Sequence, residues 1–272
     1  MFVQQRTQIN FWCLMSVLTH TIASIQPVIK GGFRARLADT PQDLRNAQQL
    51  RHDLFVGTGD QGEALDSDHF DALCQHVLIE DVQTKALQSC FRILHLGSGA
   101  SINTSYSAQF YDLSRLMHYS RPILEVGRFC SAPYATDPNI LRLGLAVLTR
   151  YVDTHSIGMM FGCSSFPGND TGPFADALAL LKTRHLAPDV WAPAVKSVET
   201  DPFAERLADH RPILKTATAT MPSLLRTYLS MGGWVSNHAV IDRNLDTFHV
   251  FTGVEIDKIP PRRAELLRAD AV

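Results

Sequence analysis

The sequence lacks the features of several common classes of protein. Basic residues are not in excess, because 25 lysines and arginines stand against 27 acidic residues for a formal charge of −2. This balance is unlike the net-basic footprint of a nucleic-acid binder. The five cysteines are an odd number without a C-x-x-C pair, which argues against a disulfide framework and a zinc site. We therefore expect a cytoplasmic protein with reduced thiols, no metal and no nucleic-acid partner.

A long uninterrupted apolar run is also missing. The most apolar stretch, residues 11–29, is broken by His20, Gln26 and Pro27, and it fits neither a membrane span of about 20 apolar residues nor a secretory signal well. A poor signal peptide, a helix lying in a membrane interface and an upstream extension that the fold does not need all stay open. We predict that residues 1–32 form a disordered or interfacial tail and that the folded pattern begins after Gly31 and Gly32.

Strand and helix patterns alternate from residue 33 onward. Residues 33–38 alternate as a strand, and Thr40-Pro41 gives an N-cap and a proline start for a helix toward Phe55. Apolar β-rich runs at 76–81 and 86–96 predict an antiparallel hairpin, followed by a central strand over residues 122–130. At 272 residues the chain is long enough for one large core or for a domain with an appended lobe.

The second half of the chain continues this α/β pattern. Asp137-Pro138 predicts a capped helix to about His155, and residues 159–166 form the next apolar strand. Helices are predicted at 173–182 and 221–231, and a closing hairpin at 234–241 and 247–254. The elements from about residue 205 therefore read as a C-terminal helix and hairpin extension.

The central strand carries charge on an otherwise apolar stretch, LEVGRFCSAP. Glu125 and Arg128 would point to opposite faces of a regular strand, so they can line one site only if Gly127 bulges it. A structural ion pair that pins the sheet is the alternative.

Several stretches together carry a family resemblance. They are RHDLF (51–55), DSDHFDALCQHVLIED (66–81), CFRIL (90–94), TSYSAQFYDLS (104–114), LEVGRFC (124–130), FGCSSFPG (161–168) and MPSLLRTYLSMGGWVSNHAVID (221–242). With these stretches the chain, between about residues 33 and 267, resembles the ornithine N-alpha-acyltransferases that make lyso-ornithine lipid, in the GNAT superfamily, and more distantly the acyl-homoserine-lactone synthases. The resemblance implies a GNAT-type acyltransferase fold over residues 33–272, with a mixed central sheet flanked by helices.

The reaction implied by the resemblance transfers a 3-hydroxyacyl chain from acyl carrier protein to the alpha-amine of L-ornithine. The donor is a phosphopantetheine thioester, and no further cofactor is implied. An amine nucleophile arrives protonated, so a carboxylate or a water held by one must take its proton, and the thioester oxygen needs donors. We predict Glu125 as the base, with Arg128 and Arg92 as its catalytic partners. Alternatively, Glu125 only holds the two arginines in place.

The segment after the first helix is acidic. In the related synthases a D-x-x-D-like pattern helps to shape the amino-substrate pocket, so the resemblance assigns Asp66, Asp68 and Asp71, together with Arg51, to substrate binding. Three carboxylates would complement a dicationic ornithine. A solvated loop with helix-capping aspartates is the alternative.

Donor binding is expected after the central strand, at Phe129, Cys130, Ser131 and Arg142. The Q/R-x-x-G-x-G/A loop with which coenzyme A enzymes of this superfamily hold a pyrophosphate is absent. Residues 131–137 contain no glycine, and Pro133 and Pro138 remove two amide donors. This departure favours a carrier-protein donor, and Arg142 could face such an acidic partner.

Other functions stay open at this point. An acyl-homoserine-lactone-type synthase, an N-acyltransferase for another amino acid, and a non-enzymatic acyl-carrier or lipid-binding module would share the fold. Because the expected product is an amphiphile, peripheral contact with the inner membrane is also expected.

Overall fold

Twelve strands and seven α-helices form the part of the protein that the computed structural model describes, residues 25–55, 57 and 64–271. The strands are β1 (Val28–Lys30), β2 (Phe33–Leu37), β3 (Gln75–Asp81), β4 (Leu87–Leu96), β5 (Tyr111–Asp112), β6 (Ile123–Ser131), β7 (Met159–Pro167), β8 (Ala194–Val195), β9 (Thr200–Asp201), β10 (Trp234–Val235), β11 (Ala239–Asp242) and β12 (Thr247–Glu255). The helices are α1 (Pro41–Phe55), α2 (Pro138–Thr154), α3 (Ala175–Arg184), α4 (Phe203–Arg206), α5 (Leu214–Thr220), α6 (Ser223–Ser230) and α7 (Pro261–Asp270).

Ten of these strands form one mixed sheet, in the order β1-β2-β3-β4-β6-β7-β12-β11-β9, with β10 pairing beside β12. Neighbouring strands are antiparallel except β6 and β7, which run parallel. Strands β5 and β8 form a separate pair. The predicted α/β fold with a mixed sheet and flanking helices is confirmed.

Local signals placed most elements correctly. Thr40 and Asp43 cap α1 reciprocally, because each backbone N–H is bound by the other side chain at 3.1–3.2 Å. Asp137 accepts from the backbone N–H of Asn139 at 2.8 Å and caps α2, with Pro138 at its first position. The hairpin of β3 and β4 and the central position of β6 also match the prediction.

The sheet begins earlier than predicted. Strand β1 precedes Gly31 and Gly32, and these glycines, with φ of +60° and +82°, form the turn into β2. Ile25 and Val28 are buried in the main core. The boundary at residue 32 is therefore wrong for residues 25–32, and the tail predicted for residues 1–24 lies outside the described residues.

The predicted closing hairpin is interrupted on its first strand. Ser236 donates from its hydroxyl to the carbonyl of His238 and accepts from the N–H of Phe251, so residues 236–238 loop out between β10 and β11. Strand β12 pairs with β7 along nine residue pairs in the middle of the sheet. The C-terminal region thus completes the central sheet, and its treatment as an extension stays a prediction.

The parallel strands β6 and β7 separate after three residue pairs, from Ile123 with Met159 to Glu125 with Phe161. Just after the last pair the two backbones approach closely: a Cβ added to Gly162 would lie 2.3 Å from the carbonyl oxygen of Val126. Beyond it the strands diverge and leave a cavity in the sheet. Among the described helices, none combines the length and the apolar character that crossing a bilayer requires.

Candidate active site

A bulge in β6 brings Glu125 and Arg128 to one cavity. A step of two positions along β4, from Cys90 to Arg92, is matched by a step of three positions along β6, from Cys130 to Gly127. The extra residue in β6 brings the side chains of positions 125 and 128 to the same face of the strand. The left-handed conformation falls on Arg128, with φ of +54°, rather than on Gly127.

The cavity between β6 and β7 has a volume of about 250 Å³. Helix α6 closes one side with Leu224, Leu225 and Tyr228, and the strands add Met160 and Val254 to the apolar wall. The polar lining comes from five strands, β4, β6, β7, β11 and β12, and from the segment before β5. Its members include Arg92, Tyr106, Glu125, Arg128, Asp242 and His249.

Asp71 is the centre of a buried ion-pair cluster behind the cavity. Its two carboxylate oxygens accept from Arg51 at 3.0 and 2.8 Å, and Arg92 and Gln48 add hydrogen bonds at 2.7 and 2.9 Å. Burial raises the pKa of Asp71, but the hydrogen bonds from Arg51 and Gln48 outweigh it and hold this pKa well below its usual range. The carboxylate is therefore ionised at neutral pH.

Two further aspartates complete the cluster. Arg92 binds both oxygens of Asp68 at 2.6 and 2.8 Å. Asp66 lies 2.7 Å from Nε of Arg51 and 3.2 Å from Nε of Arg128. Three arginines thus balance three aspartates.

This pairing changes the expected role of the acidic segment. The negative charge that we predicted for a dicationic substrate is already compensated by arginine. Asp68 also caps the short helical turn at 69–72, because it accepts from the N–H of Phe70 at 2.9 Å, as the capping alternative required. A direct contact of these aspartates with substrate stays a prediction.

The carboxylate of Glu125 is bound by two consecutive residues, Tyr106 and Ser107. It accepts from the backbone N–H of Tyr106 at 2.9 Å, and from the N–H and the hydroxyl of Ser107 at 2.7 and 2.6 Å. Burial raises its pKa, while these hydrogen bonds oppose that rise. No arginine of the described residues lies within ion-pair distance of it. Glu125 therefore does not hold Arg128 and Arg92 by direct contact.

Tyr106 is the residue that orders the arginines at the cavity. Arg128 donates to its hydroxyl at 3.3 Å, and the guanidinium carbon lies 4.9 Å from the ring centre. Arg92 lies 5.7 Å from the same ring. Stacking of guanidinium groups on an aromatic ring is favourable when both are desolvated. The sequence contains no local signal for this role, because the arginines lie 14 and 22 positions from the tyrosine.

The predicted donor residues are not brought together. Phe129 lines the cavity and stacks on Phe91. Cys130 is buried on another face, with its sulfur 3.6 Å from that of Cys90, and Ser131 donates to Ser89. Arg142 lies on the surface of α2 and pairs with Asp270 at 2.7 Å. Only the first of these four positions is therefore at the cavity.

Two cavity residues, Asp242 and His249, were missed by the sequence reasoning. Asp242 is buried at the end of β11 and accepts on one oxygen from the N–H groups of Asn244 and Leu245. His249 is buried on β12. Both are polar residues in runs that are otherwise apolar, which is the signal that could have marked them.

Comparison with known proteins assigns the chain to a family. The family model described as "Acetyltransferase (GNAT) domain" matches residues 50–143. The L-ornithine N(alpha)-acyltransferase of Rhodobacter capsulatus is 30% identical over 246 residues, which cover 86% of this chain and 93% of that protein. The chain belongs to the L-ornithine N(alpha)-acyltransferase family. The protein of the same name from Brucella abortus is also 30% identical, over 89% of this chain and 90% of its own length.

Solved structures with a similar arrangement are more distant from this L-ornithine N(alpha)-acyltransferase family member. FeeM, an N-acyl amino acid synthase from uncultured soil microbes, is 10% identical with a TM-score of 0.48, over 85% of this chain and 93% of that one. MesI, a CoA-dependent acyl-homoserine lactone synthase, is 11% identical with a TM-score of 0.44, over 85% and 88%. By family membership, this protein is an N-acyltransferase of the GNAT type.

Proposed function

We propose that the protein transfers a 3-hydroxyacyl chain from acyl carrier protein to the alpha-amino group of L-ornithine and so forms lyso-ornithine lipid. The observation that carries this proposal is the 30% identity along 93% of a protein named L-ornithine N(alpha)-acyltransferase. The mixed character of the cavity supports it, because an acyl thioester and an amino acid need an apolar wall and a polar end in one site.

The start of α2 supports a carrier-protein donor. Coenzyme A carries a pyrophosphate, and such a group is commonly bound by the free N–H groups at a helix N-terminus. Here the Asp137 carboxylate already occupies this terminus through its hydrogen bond to Asn139. The carboxylate of Asp137 would repel a pyrophosphate bound at the same place. A carrier-protein phosphopantetheine has a single phosphodiester and therefore needs fewer hydrogen-bond donors at this terminus.

The polar end of the cavity supports an amino-acid acceptor. We assign the substrate carboxylate to Arg128 and Arg92, which line the cavity. Asp66, Asp68 and Asp71 pair with these two arginines, and Arg51 in turn holds Asp66 and Asp71. Asp242 lines the cavity without an ion-pair partner among the described residues, so we assign the side-chain ammonium of ornithine to it. Glu125 would hold the turn at Tyr106 and Ser107.

The test is a mass-spectrometric assay of the full-length protein with 3-hydroxyacyl carrier protein or the matching acyl-coenzyme A as donor. Ornithine, lysine and norvaline, which has no side-chain amine, are offered in equal amounts. We expect acyl-ornithine as the main product and the carrier protein as the better donor. Acylation of another amino acid alone would contradict the acceptor assignment, and equal use of both donors would contradict the donor assignment.

The Asp242 assignment is tested by its neutral variant. D242N should reduce the preference for ornithine over norvaline by about tenfold or more, because one charged hydrogen bond is worth about 1.5–3 kcal/mol. D209N, at an exposed position remote from the cavity, is the matched control and should keep the preference. An unchanged preference in D242N would remove Asp242 from the acceptor site.

An amphiphilic product gives a reason for contact with the inner membrane. We propose that the protein binds the membrane surface peripherally from the cytoplasmic side. Flotation of the full-length protein with anionic and neutral vesicles tests this, and recovery of all the protein in the vesicle-free fractions would contradict it.

A further inference from the structure

His249 is a cavity residue with one nitrogen that has no hydrogen-bond partner among the described residues. It lines the space between β6 and β7 and is only 2% exposed. Its Nδ1 lies 3.0 Å from the hydroxyl of Tyr111. Its Nε2 is buried and has no hydrogen-bond partner among the described residues. Because most buried polar atoms are hydrogen-bonded, an exception next to a substrate cavity points to a ligand.

The contacts of Tyr111 decide which nitrogen carries the proton. The phenol has a single hydrogen, and its oxygen lies 2.9 Å from the backbone carbonyl oxygen of His249, which can only accept. The phenol hydrogen therefore goes to the carbonyl. The hydrogen between the phenol oxygen and Nδ1 must then come from Nδ1. In this tautomer Nε2 has a free lone pair.

We propose that Nε2 of His249 is the base that takes the proton from the attacking amine. This inference rests on N-acyl transfer in this cavity, and it does not require ornithine to be the acceptor. The substrate ammonium first releases one proton to solvent, so that the amine attacks as the free base. Its nitrogen then forms a bond to the thioester carbon, and the ammonium of the resulting adduct gives a proton to Nε2. When the carbon–sulfur bond breaks, the protonated imidazole returns this proton to the leaving thiolate, so the enzyme ends the cycle unchanged.

The state of His249 suits this step better than that of Glu125. Burial, with a smaller effect of His238, lowers the pKa of His249 to about 4, so the imidazole is neutral and able to accept throughout the physiological range. A nitrogen that has attacked the thioester is far more acidic than a free ammonium, which compensates for the weak base. Glu125 instead receives three hydrogen bonds already.

The experiment must distinguish a catalytic role of His249 from a purely structural one. The ring packs edge-on against Phe110, with the ring centres 5.0 Å apart, and it holds Tyr111 in place. H249N keeps a donor near the position of Nδ1 and removes Nε2. His238 supplies a matched control, because it is also buried with an unpartnered Nε2 and packs on Tyr111, yet it does not line the cavity.

The assay measures kcat and KM of the full-length variants on whichever amine the wild-type protein acylates. We expect H249N to lower kcat by about 10²–10⁴-fold, the usual range for loss of a general base, with little change in KM. H238N should stay within about threefold of wild type. In H249A, added imidazoles should restore activity in proportion to their basicity, whereas pyrrole, which fills the same space without a basic nitrogen, should not.

Three results would overturn the proposal. The first is an H249N variant within about threefold of wild type, and the second is rescue of H249A by pyrrole. The third is a ¹⁵N-histidine NMR spectrum of the wild-type protein that shows the proton on Nε2, with the His249 signal identified as the one missing from the spectrum of H249N. Acylation of an amine other than ornithine would overturn the proposed function, but the three tests of His249 would still apply.

Discussion

Replacement of Asp71 by asparagine is expected to cost more stability than any other single charge removal in the ion-pair cluster. The change is nearly isosteric, but it removes the negative charge and turns one acceptor into a donor. That donor would face the N–H groups of Arg51 or Arg92, which now bind the two oxygens at 2.7–3.0 Å. The side chains of these arginines are only 1% and 3% exposed, so water cannot replace the lost partner.

The size of the effect follows from burial. Removing one partner of a buried ion pair typically costs about 3–5 kcal/mol. We take the lower end, about 3 kcal/mol, because Asp66 and Asp68 continue to neutralise the two arginines. With a urea dependence of about 3 kcal/mol/M, at the upper end for small proteins, the unfolding midpoint should fall by about 1 M.

The assay is urea unfolding followed by both circular dichroism and tryptophan fluorescence, whose agreement checks that unfolding occurs in one step. R142A is the control, because it breaks the exposed ion pair with Asp270 on α2, and exposed pairs contribute little. A midpoint for D71N as close to wild type as that of R142A would refute the argument that the cluster charges depend on each other.

Three further predictions concern stability. G162A should lose about 1–3 kcal/mol by overpacking against the carbonyl of Val126, whereas G127A, where an added Cβ meets no atom within 4 Å, should not; equal thermal midpoints for the two variants would contradict the close approach of β6 and β7. Despite its burial, Asp71 has a lowered pKa in the folded state, so its contribution is complete above about pH 4 and is lost as the pH falls below that value. Acid titration of the free energy of unfolding should therefore be steeper for wild type than for D71N, and parallel curves would disprove this linkage. A chain shortened to residues 31–272 should unfold at lower temperature than residues 25–272, since it loses the burial of Ile25 and Val28 and the carbonyls of Gln26 and Pro27 that accept from Arg150; no difference in calorimetry would show that β1 is dispensable.

Local sequence was sufficient for most helices and strands. Thr40-Pro41 and Asp137-Pro138 predicted the starts of α1 and α2 because an N-cap is formed by residues within three positions of each other. Apolar runs predicted β3, β4, β6 and β7, since each of them is buried in the sheet. The set of motifs along the chain was also sufficient to predict the family.

The partners of the charged residues could not be predicted in the same way. The sequence placed three aspartates in one segment, and their type predicted a cationic ligand. Arg92 and Arg128, which bind them, lie on β4 and β6 at sequence separations of 21–62 residues. Whether a carboxylate meets substrate or arginine is decided by strand register. Register also turned Cys130 away from the cavity. Arg142 meets Asp270 because α2 packs against α7.

Most of the secondary structure, the α/β class and the family follow from the sequence alone, because they depend on periodicity, capping and motifs that neighbouring residues carry. The composition of the site depends instead on tertiary contacts. Tyr111 and His249 are 138 positions apart, and their contact assigns the imidazole proton. Such contacts arise when distant strands pair in one register, and no local pattern encodes which side chains then face each other.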